Sequence, residues 1–236
     1  MSDTRCKFIE SNRGALEIYR GKMSDKCQFV SGFGAVTAQE SFEIILTGGN
    51  DYYLALCLLH IFWEFDNIDD RTFVLQSLKK LSVLDEEGNM SDPELAYVYA
   101  YCLHRADGAD KSMELLNKLA DQCFAPALAT IGDSWIAHTE VDNAISYYSH
   151  AHDHGYMSVT FRLNKLALKA LPWFKQIPIR MLLIFTPISR ARAIAKKGIV
   201  GTHLLYLDFY GIKHHLKKYW NIPNGERIRM RSSAKI

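Results

Sequence analysis

At 236 residues, with 48% hydrophobic and 23% charged residues, the chain has the make-up of a folded domain, and its balance excludes bulk disorder. The net charge of +2 hides a division: residues 187–236 hold 11 Lys or Arg against two acids, leaving 17 against 24 in the first 186. Five cysteines, at positions 6, 27, 57, 102 and 123, form no CxxC pair and no even framework, which excludes a disulfide scaffold and points to reduced thiols in a cytoplasmic protein.

The first eight residues lack the basic-then-apolar order of a secretory signal. Residues 1–35 form an N-terminal segment without a clear period. Residues 16–19 read as a short helix or strand, and residues 30–35 as a flexible turn whose Gly-x-Gly lacks the third glycine of a nucleotide fingerprint. From Thr37 the pattern becomes helical. Residues 41–46 stop at Gly48-Gly49-Asn50, and residues 51–65 are apolar around most of a helical circumference, which predicts burial between neighbours. A turn is expected over 66–70, a helix over 72–83, and an acidic loop over 85–92 leading to Pro93 at a first helical position.

Residues 94–155 repeat one pattern. Helical stretches at 94–103 and 110–120 are followed by similar ones at 126–135 and 142–152, with Asp110 against Asp142, Ala120 against His152 and Cys123 against Gly155, a shift of 32 throughout. Leu95, Val98, Tyr99 and Cys102 recur at three- and four-residue spacing, as do Met113, Leu116, Leu119 and Ala120. A lone helix pair cannot bury two such stripes, so neighbouring pairs must close over them. Small residues at Ala100, Ala127, Gly132, Ala144 and Ala151 mark the expected close approaches. After Gly155 a helix continues over 156–171. Pro172, Pro178 and Pro187 then divide the chain, and its most apolar run, residues 181–185, falls far short of the about 20 residues a bilayer span needs. A looser copy occupies 187–207, the terminal helix covers 200–219, and a basic tail covers 221–236.

The run 142–155 resembles the second helix of a Sel-one-like repeat, a branch of the tetratricopeptide superfamily. Ala144, Tyr147, Tyr148, Ala151 and Gly155 match the family's small, aromatic and closing glycine positions, with His152 in place of a second Ala. Ile131-Gly132 stands where the first helix of the family has Leu-Gly. In the earlier copy Leu115-Leu116 replace the aromatics and Cys123 replaces Gly. The resemblance implies an all-α fold, a right-handed superhelix of antiparallel helix pairs forming an α-solenoid over residues 36–220. Its best copies are 94–123 and 126–155, with looser ones at 51–83 and 187–207. It also implies an interaction platform without chemistry of its own.

No Ser-His-Asp, nucleophile-elbow, HExxH, Walker or CxxC arrangement is present, so no catalytic residue, cofactor or small-molecule substrate is expected. A deep, dry pocket around His104, His138 or Asp133 would reopen that question. His150 and His154, four apart on one helical face, could share a divalent metal with Asp153 or His138. A solvated helix end is the preferred reading, and no metal is assigned. Tyr97, Tyr101 and Trp135 are the candidates for exposed partner contacts, while Tyr99, Tyr147 and Tyr148 read as packing residues. Lys196, Lys197, Lys213, Lys217, Lys218, Arg227, Arg229 and Arg231, interleaved with aromatics, form a basic patch suited to nucleic acid, an anionic membrane surface or an acidic protein. The expectation is a bacterial, cytoplasmic scaffold or adaptor that binds another protein through the repeat groove. Its size and acidic body suit an immunity or antitoxin-type inhibitor whose basic partner would be drawn to residues 85–94. The alternative is a nucleic-acid or membrane-surface adaptor acting through the basic C-terminal region.

Overall fold

A computed structural model describes residues 3–23, 28–31, 34–48, 51–65, 67–82, 92–106 and 108–156, together with residues 159, 160, 162, 163, 166, 177 and 210. Along them run α1 (Asp3–Lys22), β1 (Gln28–Ser31), β2 (Gly34–Thr37), α2 (Ala38–Leu46), α3 (Asp51–Glu64), α4 (Ile68–Leu81), α5 (Pro93–Ala106), α6 (Ala109–Asp121), α7 (Ala125–Ala137) and α8 (Val141–Asp153). Among the described residues the fold is all-α apart from one antiparallel hairpin. The described residues fall into two compact units, one running through Gln122 and the other starting at Cys123. Among them no helix is long and apolar enough to cross a membrane.

In the first unit α3 is the central element. Every residue from 54 to 62 is buried, and the helix packs against α2, α4 and α5. That burial is dictated by composition, since a helix apolar on all sides has no face to offer water. Gly48 ends α2 in the left-handed region at φ 98°, as the Gly-Gly-Asn stop predicts. α4 begins earlier than its apolar pattern suggests. Asn67 is its N-cap, the side-chain oxygen accepting from the Asp70 backbone N–H at 2.8 Å, and Asp69 and Asp70 sit favourably in the first turn. Most of the turn expected over 66–70 is therefore helix. α5 starts at Pro93, and the buried Asp92 carboxylate just before it pairs with Arg5 of α1.

The N-terminal segment differs most from expectation. α1 is a helix of 20 residues, and the short helix or strand expected at 16–19 is part of it. Its inward stripe includes polar residues: Arg5, Phe8, Asn12, Leu16 and Tyr19 succeed each other at three- and four-residue steps, and Met23 continues the series. Tyr19 packs its ring 5.3 Å from Phe65 and 5.6 Å from Phe73 and donates its hydroxyl to Asp70. The turn expected over 30–35 instead gives its outer residues to the hairpin, whose register runs from Gln28 opposite Thr37 to Ser31 opposite Gly34.

In the second unit α7 and α8 pack closely. A Cβ on Gly132 would lie 2.6 and 2.7 Å from Tyr148 ring carbons and 3.3 Å from the Ala144 carbonyl oxygen, so glycine is what lets the ring sit on the helix backbone. Gly132 and Ala144 thus occupy the close approach their sizes suggested. α5 and α7 begin 32 residues apart, as do α6 and α8. Cys123 (φ 57°) and Gly155 (φ 85°), also 32 apart, are both left-handed. These boundaries are compatible with a helical repeat. Residues 159, 160, 162, 163 and 166 are helical, in keeping with the helix expected after Gly155. The copy at 187–207, the terminal helix apart from Tyr210, and the basic tail lie outside the described residues.

Burial at two positions sets measurable outcomes. Gly132→Ala should destabilise the protein by about 1–3 kcal/mol, read as a lower denaturant midpoint, because the ring it would displace is enclosed. His60 is buried on α3, and loss of hydration lowers its pKa to about 4 from an ordinary 6.5. The unfolded chain takes up this proton first as pH falls, so stability held above pH 6.5 should decline toward pH 4 by about 3 kcal/mol. Denaturation midpoints across that window should show the slope in wild type and a shallower one in His60→Leu.

Candidate partner-binding surface

Tyr97 and Tyr101 lie one turn apart on α5, and the structure corrects their expected exposure: Tyr97 is 0% and Tyr101 5% exposed. The cause is packing on several sides. α5 contacts α3, α4 and α6, so the face that an isolated amphipathic helix would turn to water is covered. Tyr99 and Tyr147 are half-buried and Tyr148 is buried, as packing residues would be. Trp135 is half-buried, and its indole N–H is buried without a hydrogen-bond partner among the described residues. It can offer a partner carbon surface only.

Among the described Phe, Tyr and Trp residues the exposed one is Trp63, in the last turn of α3. The residue is 45% exposed, and its ring meets Tyr101 edge-on at a centroid distance of 5.9 Å. Arg105, one turn along α5, holds its guanidinium 5.3 Å over the Tyr101 ring and donates from Nε to the Tyr101 hydroxyl at 3.2 Å. Trp63 therefore stands on a ring fixed from its other end, so little side-chain entropy remains to be lost on contact. Ile68, at the start of α4, is 79% exposed, which puts two large apolar side chains on either side of the α3–α4 corner. Nothing in the sequence distinguishes Trp63 from the apolar run that leads up to it. His104 is engaged locally, with Nδ1 3.2 Å from the Ser112 hydroxyl.

Asp133, one of the three residues whose enclosure in a deep pocket would reopen the catalytic question, has both carboxylate oxygens occupied. Tyr148 donates its hydroxyl to Oδ1 at 2.6 Å, and Arg162 Nη2 lies 3.1 Å from Oδ2. The Arg162 guanidinium also lies 5.5 Å from the Tyr148 ring centroid. Burial, and then the negative charge of Asp133, push the Tyr210 hydroxyl up to about 12. This cluster joins α7, α8 and the helical residues beyond Gly155. His138 is exposed at the end of α7. Lys196, Lys197, Lys213, Lys217, Lys218, Arg227, Arg229 and Arg231 lie outside the described residues.

No family model matches the chain, and no curated protein or solved structure matches it at a significant level. The resemblance to Sel-one-like repeats thus rests on the residues quoted for it.

Removing one member of a buried ion pair leaves the other charge uncompensated. Arg162→Met should therefore cost about 3–5 kcal/mol of stability, measured by urea denaturation.

Proposed function

We propose that the chain is a non-enzymatic scaffold or adaptor that binds another protein through a right-handed solenoid of helix pairs. The observation that carries this reading is the Trp63–Tyr101–Arg105 cluster, an exposed indole seated on a restrained ring. Trp, Tyr and Arg are the residue types in which binding energy concentrates at protein interfaces. The solenoid is supported by the packing of α3 against both α4 and α5 and of α5 against α6, the pattern of a helix shared between successive pairs. The 32-residue recurrence of boundaries supports it further. Rigid helices would present the contact without a large ordering cost.

An immunity or antitoxin-type inhibitor fits the acid excess of the first 186 residues, which would draw in a basic partner. A second reading rests on the 11 Lys or Arg against two acids after residue 186: an adaptor meeting nucleic acid or an anionic membrane surface through its C-terminal region.

Co-purification from native cells, with binding measurements on the protein so identified, tests the first reading. Trp63→Ala should leave the chain folded, at a cost of about 1–3 kcal/mol from the half of the indole that is covered. It should weaken the complex by about 2 kcal/mol or more, roughly 30-fold. Unchanged affinity in both Trp63→Ala and Arg105→Ala would remove this surface from the account, and binding to RNA or anionic vesicles lost steeply with salt would favour the second reading.

A further inference from the structure

The corner that precedes α7 and the end of α8 bring together three groups that sequence spacing alone does not join. Cys123 ends the turn after α6. His150 is in the last turn of α8 and His154 is its C-cap, so the two histidines lie one turn apart on the same face, with ring centroids separated by 5.0 Å. The Cys123 sulfur and one nitrogen from each ring all lie within 4.8 Å of one another, and all three side chains are exposed. His152 lies outside this group, its Nδ1 being 3.8 Å from the Asp153 carboxylate.

The geometry points to a divalent metal site of the zinc class, with the Cys123 thiolate and the imidazoles of His150 and His154 as ligands and water in the fourth position. Zinc takes sulfur at about 2.3 Å and imidazole nitrogen at about 2.0–2.1 Å, so donor atoms around a tetrahedral ion stand about 3.3–3.6 Å apart. The present separations exceed this by about 1.5 Å at most, a gap that rotation of exposed side chains closes without moving the backbone. One thiolate and two imidazoles favour zinc over magnesium or calcium, which take oxygen ligands.

The choice of cysteine at this corner carries the same sense. Position 123 is left-handed at φ 57°, and its counterpart 32 residues later is Gly155 at φ 85°. Glycine occupies such a conformation without steric penalty, whereas cysteine does not. Metal here ties the segment entering α7 to the end of α8, so its effect is to hold that pair closed at one end.

The test uses the full chain, purified without a tag and stripped with chelator, and titrated with Co²⁺ and then Zn²⁺. One equivalent of Co²⁺ should bind with a thiolate-to-cobalt charge-transfer band and visible bands of tetrahedral intensity, both abolished by Zn²⁺. Zn²⁺ at a hundredfold excess over its dissociation constant should raise the melting temperature by about 5–10 °C. Cys123→Gly, which suits the backbone, should melt no lower than metal-free wild type yet lose the charge-transfer band. His150→Ala and His154→Ala should each weaken Co²⁺ binding at least about tenfold, with His152→Ala unchanged. Absence of the band in wild type, its persistence in Cys123→Gly, or an equal effect of His152→Ala would overturn the site.

Discussion

α3 cannot stand alone. Its residues from 54 to 62 are buried on every side, and no arrangement leaves such a helix stable except one that wraps it in other helices. α2, α4 and α5 do this, and α5 in turn gives another face to α6. Burial of one large aliphatic side chain is worth about 1.5–3 kcal/mol, whereas an exposed pair such as Arg13–Glu17 contributes at most about 1 kcal/mol. The shared apolar seams therefore dominate.

Polar groups enter these seams in a restricted way. Arg5 reaches Asp92 across 87 residues of sequence, and Arg162 reaches Asp133 across 29. A buried pair of this kind adds little over apolar side chains of the same volume, yet losing one partner is costly. Its effect is to penalise other packings: α1 has one favourable position at the start of α5, and the helical residues beyond Gly155 have one at α7. Cys57 and Cys102, both buried on helices, have thiol pKa values raised by loss of hydration, which keeps them inert.

The helical pairs are legible in the sequence because their stripes are apolar and their ends carry glycine or proline. Pro93, Gly48 and Gly155 mark boundaries that the structure places within a residue or two. α1 is not legible from apolar residues alone, because its inward face includes Arg5, Asn12 and Tyr19, and the partners of Arg5 and Tyr19 lie far along the chain. The early start of α4 depends on an Asn67 cap before residues that read as a turn. Exposure is the least legible property. Tyr97 and Tyr101 are covered by helices that one amphipathic pattern does not reveal, while Trp63 emerges from a run in which every residue looks internal. The cluster of Cys123 with His150 and His154 needed the fold, since only antiparallel packing of α7 and α8 brings positions 123 and 154 together.

Function in such a molecule rests on a division of labour. Close-packed helices provide a rigid support, and in the function proposed above a few side chains at its surface, Trp63 above all, would meet another molecule. Amide hydrogen exchange resolved by segment tests the support most directly. Slowest exchange in the first unit should fall at residues 54–62 and in the second at 127–134, where helices are enclosed by their neighbours. Exchange at those residues as rapid as at the exposed end of α1 would contradict a structure built on shared helical seams.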